Sequence, residues 1–239
     1  MTNPFALDNT GIRRPATMTT VLSVAAGFVD AFVYLHVQAV FTANQSGNLI
    51  LAGMAIGQGS LSAAVLPTLS VVAYVIGAAI GVAAFDEPGK GRRRFLGALA
   101  LDIAVLVALA VAMHATGAVG DPNRRPDLVL YTLVALAAAT IGLQTVALRS
   151  VRHVSVLTSA STGNVTTIGV ALGRLGRRGG SAAEGVSVIV VAVLAYVVGA
   201  ALGAAFGRID AAGSLVLLVP AAMVAGSLVS QLRPRRPRP

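Results

Sequence analysis

The side chains in this 239-residue chain that could do chemistry are few, and they sit in places unusual for polar groups. Two Gly-Asn pairs, Gly47–Asn48 and Gly163–Asn164, each open a short apolar segment. Polar residues precede both: Thr42, Asn44, Gln45 and Ser46 in the first, Thr158, Ser159, Ser161 and Thr162 in the second. A helix start leaves about four N–H groups unpaired and carries a partial positive charge, so it can hold an anion or a carbonyl. Asn supplies donor and acceptor atoms, and Gly lets the backbone turn and approach closely. The spacing therefore predicts paired solute-binding turns at Asn44, Gln45, Ser46, Gly47 and Asn48 and at Thr162, Gly163 and Asn164. The alternative is that Ser46, Thr162 or the Asn side chains only cap helix starts.

Asp30 falls near the middle of the first long apolar run, where an ionised carboxylate costs several kcal/mol unless paired or protonated. That makes it a candidate for proton or cation coupling, or else a packing residue hydrogen-bonded to a neighbouring helix. Gln144 and Thr145 occupy the matching place in the second half, so Gln144 is expected to join the site near Asp30. Asp102, eight residues past Arg94, is a second coupling candidate, or a partner for the loop arginines. His36 and His114 lie toward helix ends and read as rim residues. The chain has no Cys and three His, which excludes a thiolate metal site and leaves little for a metal cluster. It carries no P-loop, dinucleotide-binding glycine pattern, HExxH or nucleophile elbow. No cofactor, no metal and no enzymatic activity are expected.

The elements that must position these residues follow from composition. The chain is 56% hydrophobic and 11% charged, with a mean hydropathy of +0.81, which is the profile of an integral membrane protein. Long apolar runs cover Thr17 to Phe41, Leu61 to Phe85, Phe95 to Thr116, Leu128 to Leu148, Ala182 to Phe206 and Gly213 to Val229, each long enough to span a bilayer. Asn48 to Gly57 and Asn164 to Gly173 are too short to cross about 30 Å of hydrocarbon at a helical rise of about 1.5 Å per residue. If they do not cross and the N-terminus is cytoplasmic, every basic residue except Arg124, Arg125 and Arg208 falls on the cytoplasmic side. Full crossings would move Lys90 to Arg94, Arg149 and Arg152 outside, so six spans with two half-helices are preferred. The alternative is that each short segment begins earlier, near Thr42 or Thr158, and spans as a thin, polar-ended helix.

Compared with itself, the chain repeats. Phe41 to Gly57 matches Leu157 to Gly173, with Thr42/Thr158, Gly47/Gly163, Asn48/Asn164, Gly53/Gly169, Ala55/Ala171 and Gly57/Gly173 identical. Ala73 to Gly81 matches Ala195 to Gly203 with only aliphatic exchanges. Each half holds three full crossings, an odd number that inverts the second copy, as in many transporters. The predicted fold class is all-α, a polytopic membrane protein with six transmembrane helices, two short half-helices and an inverted 3+3 internal repeat. Its parts are a cytoplasmic tail (1–16), repeat 1 (17–116), an external loop (117–127), repeat 2 (128–230) and a basic cytoplasmic tail (231–239). Tyr74 with Gly77 and Gly81, and Tyr196 with Gly199 and Gly203, present small-residue faces for helix packing across the repeats. Pro67 and Pro220 lie inside spans and bend them.

The combination of Gly27-Phe-Val-Asp-Ala31, Phe41-Thr-Ala-Asn-Gln-Ser-Gly-Asn48, Gly142-Leu-Gln-Thr145 and Ser161-Thr-Gly-Asn164 resembles the bacterial YoaK family over about Thr17 to Val229. Such proteins often read Thr-Gly-Asn at the first turn and Gln-Asn in the second half; Ser46 and Thr145 stand there in this chain. The resemblance implies a multi-pass protein of the bacterial inner membrane and supplies no activity.

The residues then support a secondary transporter or permease of a small polar or anionic solute, held between the repeats. The alternative is a non-transporting membrane scaffold or assembly protein. The expected partners are the lipid bilayer, with anionic lipid at the basic loops and the Arg233 to Pro239 tail, and the small solute. Nucleic acid is not an expected partner despite the net charge of +9, and homo-oligomerisation stays open.

Overall fold

The computed structural model describes residues 15–85, 91–116, 127–149, 162–175, 183–207 and 213–232. These form eight helices: α1 (Pro15–His36), α2 (Gln45–Gly57), α3 (Leu61–Phe85), α4 (Gly91–Thr116), α5 (Leu128–Arg149), α6 (Thr162–Leu175), α7 (Ala183–Phe206) and α8 (Leu218–Leu232). A 3-10 turn, Gly213–Leu217, leads into α8. No strand occurs among the described residues. Six helices are long and apolar enough to cross a bilayer, with spans Ala16–His36, Leu61–Ala83, Phe95–Ala115, Leu128–Val146, Ser187–Phe206 and Leu215–Leu232. At 13 and 14 residues, α2 and α6 reach only about 20 Å and fall short of the hydrocarbon thickness. The protein is thus an all-helical, multi-pass membrane protein.

Three predicted boundaries move. The first span ends at His36 rather than Phe41, because residues 37–44 leave the helix and double back alongside it. The short helices begin at Gln45 and Thr162, so each Gly-Asn pair lies within a first turn rather than opening its helix. Pro220 lies inside the span Leu215–Leu232, as expected, but near the start of its helix. It sits in the first turn of α8, just after the 3-10 segment, where its missing N–H leaves no intrahelical acceptor unpaired. Pro67 does lie inside α3, as expected.

Backbone-to-backbone approaches hold the bundle together. A Cβ built on Gly199 would collide with the carbonyl oxygen of Val24, one on Gly203 with that of Phe28, and one on Gly27 with that of Tyr196. These contacts, with Gly207 against His36 at the far end, lay α1 and α7 side by side in the same direction. Gly77 meets the carbonyl of Ala139, Gly81 meets Leu143 and Val146, and Gly142 meets the carbonyl of Tyr74, so α3 and α5 also run parallel to each other. Small residues permit this in lipid, where close packing rather than hydrophobic transfer draws helices together.

α4 packs on α5 and on α8, and α8 packs on α1. The main core fills this space with Phe28, Phe32, Phe95, Leu99, Leu109, Met113, Leu217 and Val224, all buried. The short helices lie outside it, α2 against α3 and α6 against α7. Leu49, Ile50, Met54 and Ile56 on α2 are exposed, as a lipid-facing surface requires. α2 and α3 form a tight hairpin. Gly59 has φ of 72°, Gly59 N–H donates to Ile56 O at 2.9 Å and Ser60 N–H to Ala55 O at 2.9 Å. That pairing is a Schellman stop, and it needs a residue that tolerates the left-handed conformation.

Candidate functional site

The first Gly-Asn turn is built around Asp30. This carboxylate is 1% exposed and takes five donors. Oδ1 accepts from Thr42 N–H (2.6 Å), Thr42 Oγ1 (2.8 Å) and Ala43 N–H (2.7 Å). Oδ2 accepts from Asn44 N–H (2.9 Å) and from the hydroxyl of Tyr196 (2.7 Å). Three consecutive backbone N–H groups and the positive end of α2 thus converge on one anion, a geometry in which hydrogen bonds to a charged acceptor are short and strong. The anion that the sequence suggested a helix start could hold is, in this half, the protein's own side chain. Tyr196, expected to pack at the helix interface, is also a donor to this site.

Asn48 does a second structural job. Its Oδ1 accepts from Phe41 N–H (2.9 Å) and its Nδ2 donates to Phe41 O (2.8 Å), so the side-chain amide pairs with both main-chain polar groups of one residue. The same Nδ2 reaches Gln45 Oε1 (3.0 Å) and Ser70 Oγ (3.0 Å), and Ser70 in turn donates to Phe41 O (2.9 Å). Asn48 and Ser70 are fully buried. Asn44 is the helix cap: its Oδ1 accepts from Gly47 N–H (3.2 Å) and from Ser46 Oγ (2.9 Å). Ser46 therefore supports the cap rather than acting as one. Gln45 Nε2 closes the ring on Thr42 O at 2.8 Å. Gly47 sits against the Phe41 ring and the Asn44 side chain, where a Cβ would not fit without displacing them.

Phe41 stacks on Tyr34 with ring centroids 4.7 Å apart, one turn nearer the end of α1 than Asp30. Residues 42–44 lie at Asp30, and Asn48 lies with Phe41 beside Tyr34. α2 therefore heads back toward the face where α1 finishes, and the hairpin starts α3 from that face. The segment enters and returns rather than crossing.

The matching place in the second half is chemically different. Thr145 stands where Asp30 stands, as Gly142 stands where Gly27 does, and its hydroxyl donates to Ile141 O within its own helix at 2.8 Å. Asn164 is buried, at 4% exposure, in the first turn of α6. Thr162 and Gly163 open that turn; Thr158, Ser159 and Ser161 lie outside the described residues. The expectation that Gln144 meets Asp30 is corrected. Gln144 faces α4 and donates through Nε2 to Asp102 Oδ2 at 3.1 Å, both side chains being buried. The reason is rotational: one residue before the Asp30-equivalent position points about 100° away around a helix, toward a different neighbour. Asp102 meets Gln144 rather than a loop arginine among the described residues.

Between the halves, Ala26, Ala43 and Ile141 pack with Tyr74 and Tyr196 in an apolar cluster. A cavity of about 430 Å³ opens elsewhere, between α3 and α5, lined by Leu69, Ala73, Ile76, Tyr131, Leu136 and Ala139 among others. Neither Asn48 nor Asn164 lines it, so this cavity is not the solute site expected at the two Gly-Asn turns.

Comparison with known proteins agrees with the membrane-spanning architecture. The chain is similar to the UPF0700 transmembrane protein YoaK of Bacillus subtilis (strain 168), 27% identical over 158 residues, which is 64% of this chain and 64% of that protein. The match thus spans a little under two thirds of the relative's length. No solved structure matches the chain. The model of the family described as "Protein of unknown function (DUF1275)" matches residues 18–230, nearly the whole length. The chain therefore belongs to the DUF1275 family, in agreement with the resemblance to YoaK carried by its Gly-Asn turns.

Proposed function

We propose that this membrane protein is a secondary transporter or permease for a small anionic or polar solute, with the solute bound at the start of α6. One observation carries the proposal. The N-terminal turn of α2 is filled by the protein's own carboxylate, Asp30, whereas the second half repeats Thr158, Gly163 and Asn164 but has Thr145 in place of the acid. A helix start whose position equivalent to Asp30 holds Thr145 rather than an acid suits an anionic group brought by a solute.

The helix contacts support the scaffold such a role needs. Gly27–Tyr196 and Gly142–Tyr74, Val24–Gly199 and Ala139–Gly77, and Phe28–Gly203 and Leu143–Gly81 occur in matching register. α1 and α7 run together, α3 and α5 run together, and α3 runs against α1. These relations favour two copies of opposite orientation, rocking on each other in alternating access.

Uptake into vesicles by the purified, reconstituted protein, screened over small carboxylates, phosphate and uncharged polar solutes, tests the reading. The solute found should be lost in Thr145→Asp, which supplies a carboxylate to the second turn. Wild-type uptake in that variant would remove α6 from the mechanism. The apolar cluster of Ala26, Ala43 and Ile141 with Tyr74 and Tyr196 between the halves favours the second reading, a membrane scaffold in which both turns are structural. Failure of every solute class in the screen would leave that reading in place.

A further inference from the structure

The two carboxylates described within the spans are held in opposite ways, and we propose that Asp102, not Asp30, is the group that takes up and releases a proton inside the membrane. Asp30 has five donors, three of them backbone N–H groups at a helix start, and all are lost or weakened on protonation. That donor set is built for the charged form. Asp102 lies in the span Phe95–Ala115 and is 7% exposed, and its single hydrogen-bond donor among the described residues is the neutral amide of Gln144. One neutral donor does little for a charge in hydrocarbon. It is well suited to a neutral acid: a carboxamide that donates to one carboxyl oxygen can accept the O–H of the other, closing a cyclic pair.

Among the described side chains, Gln144 and no cation contacts Asp102. The 3-10 turn and α8, which pack on α4, contain no ionisable side chain between Gly213 and Leu232. α5 brings Tyr131, far along the helix from Gln144, and Arg149 at its end, while α3 brings Tyr74. On α4 itself Arg92, Arg93 and Arg94 lie two to three turns before Asp102, and His114 lies three turns after it. Proton binding at Asp102 is argued from this geometry and stands whether or not the protein proves to be a transporter.

The test is pH-difference infrared spectroscopy of the full chain in lipid nanodiscs. A carboxylic-acid C=O band should appear on acidification, persist in Asp30→Asn, vanish in Asp102→Asn, and shift in frequency in Gln144→Leu, where the amide is gone but the acid remains. Coincident wild-type and Asp102→Asn spectra, or loss of the band in Asp30→Asn alone, would overturn the assignment. Dicyclohexylcarbodiimide, which reacts with protonated carboxyls in apolar surroundings, gives a check that needs no variant to fold. Mapped by mass spectrometry on the wild-type protein, it should modify Asp102 and spare Asp30, with labelling falling about tenfold per pH unit above the midpoint. Preferential labelling of Asp30 would sink the proposal. Loss of solute uptake without change in the infrared band would count against the transport reading only.

Discussion

An anion buried in hydrocarbon survives only if something replaces its water, and for Asp30 the replacement is a turn of peptide N–H groups and one phenol. The consequence is a strong dependence of stability on this one side chain. In Asp30→Asn one oxygen remains to accept, but the other becomes an NH2 whose hydrogens face groups that are themselves donors, so part of the 42–44 turn loses its acceptor. We expect a loss of about 2–4 kcal/mol in unfolding free energy, read by circular dichroism during titration with SDS. Tyr196→Phe removes one donor to the same anion and should cost less, about 1.5–3 kcal/mol. An Asp30→Asn protein as stable as wild type would mean that the turn is held by something other than this carboxylate. Asn48 has a structural reason to stand out in the sequence, because its amide substitutes for a missing peptide partner at Phe41. A polar residue at membrane depth reports an unmet hydrogen-bond demand, and the demand can come from the backbone as readily as from a solute.

Glycines on the helices divide into those that touch another backbone and those that face open space, and the division predicts opposite responses to one substitution. Gly27→Ala drives a methyl group into the carbonyl of Tyr196 and should destabilise by about 1–3 kcal/mol, with Gly142→Ala behaving likewise against Tyr74. Gly53→Ala on α2 has no atom within 4 Å of the new carbon and should be neutral or stabilise by up to about 1 kcal/mol through helix propensity. The midpoints of detergent-to-SDS unfolding for the three variants decide the matter. Equal shifts for Gly27→Ala and Gly53→Ala would show that helix propensity, not interhelical approach, governs these sites. Sequence matching anticipated the packing roles of Gly77, Gly81, Gly199 and Gly203, because glycine at i and i+4 can serve few other ends in a lipid-embedded helix.

For the whole molecule, the decisive feature is that α2 returns to the face it came from. The chain has no native Cys, so single cysteines report their side directly. A cysteine at Ala39, just past the end of α1, and one at Ser60, between α2 and α3, should be labelled by a membrane-impermeant maleimide from the same side of sealed vesicles. Opposite sidedness would mean that α2 crosses and that the protein has more than six spans. The result does not depend on which face is cytoplasmic. It also bears on the duplication, since three crossings per half invert the second copy while four would leave both copies alike.

Membrane embedding, six crossings, two helices too short to cross and the glycine faces were legible in the sequence. Each follows from a sum along the chain: apolar transfer free energy per residue, rise per residue, and the absence or presence of a Cβ. The special turns were legible too, and so was the depth of Asp30. The partners were not. Asp30 and Tyr196 are separated by 166 positions and Asp102 and Gln144 by 42, and which donor faces which carboxylate depends on the rotation and offset of helices packed together. Neighbouring helical positions point about 100° apart, so the sequence placed Gln144 at the right depth beside the wrong helix. Hydrophobicity is a property each residue carries with it, whereas a hydrogen bond in a low-dielectric interior belongs to a pair, and only the assembled bundle brings the pair together.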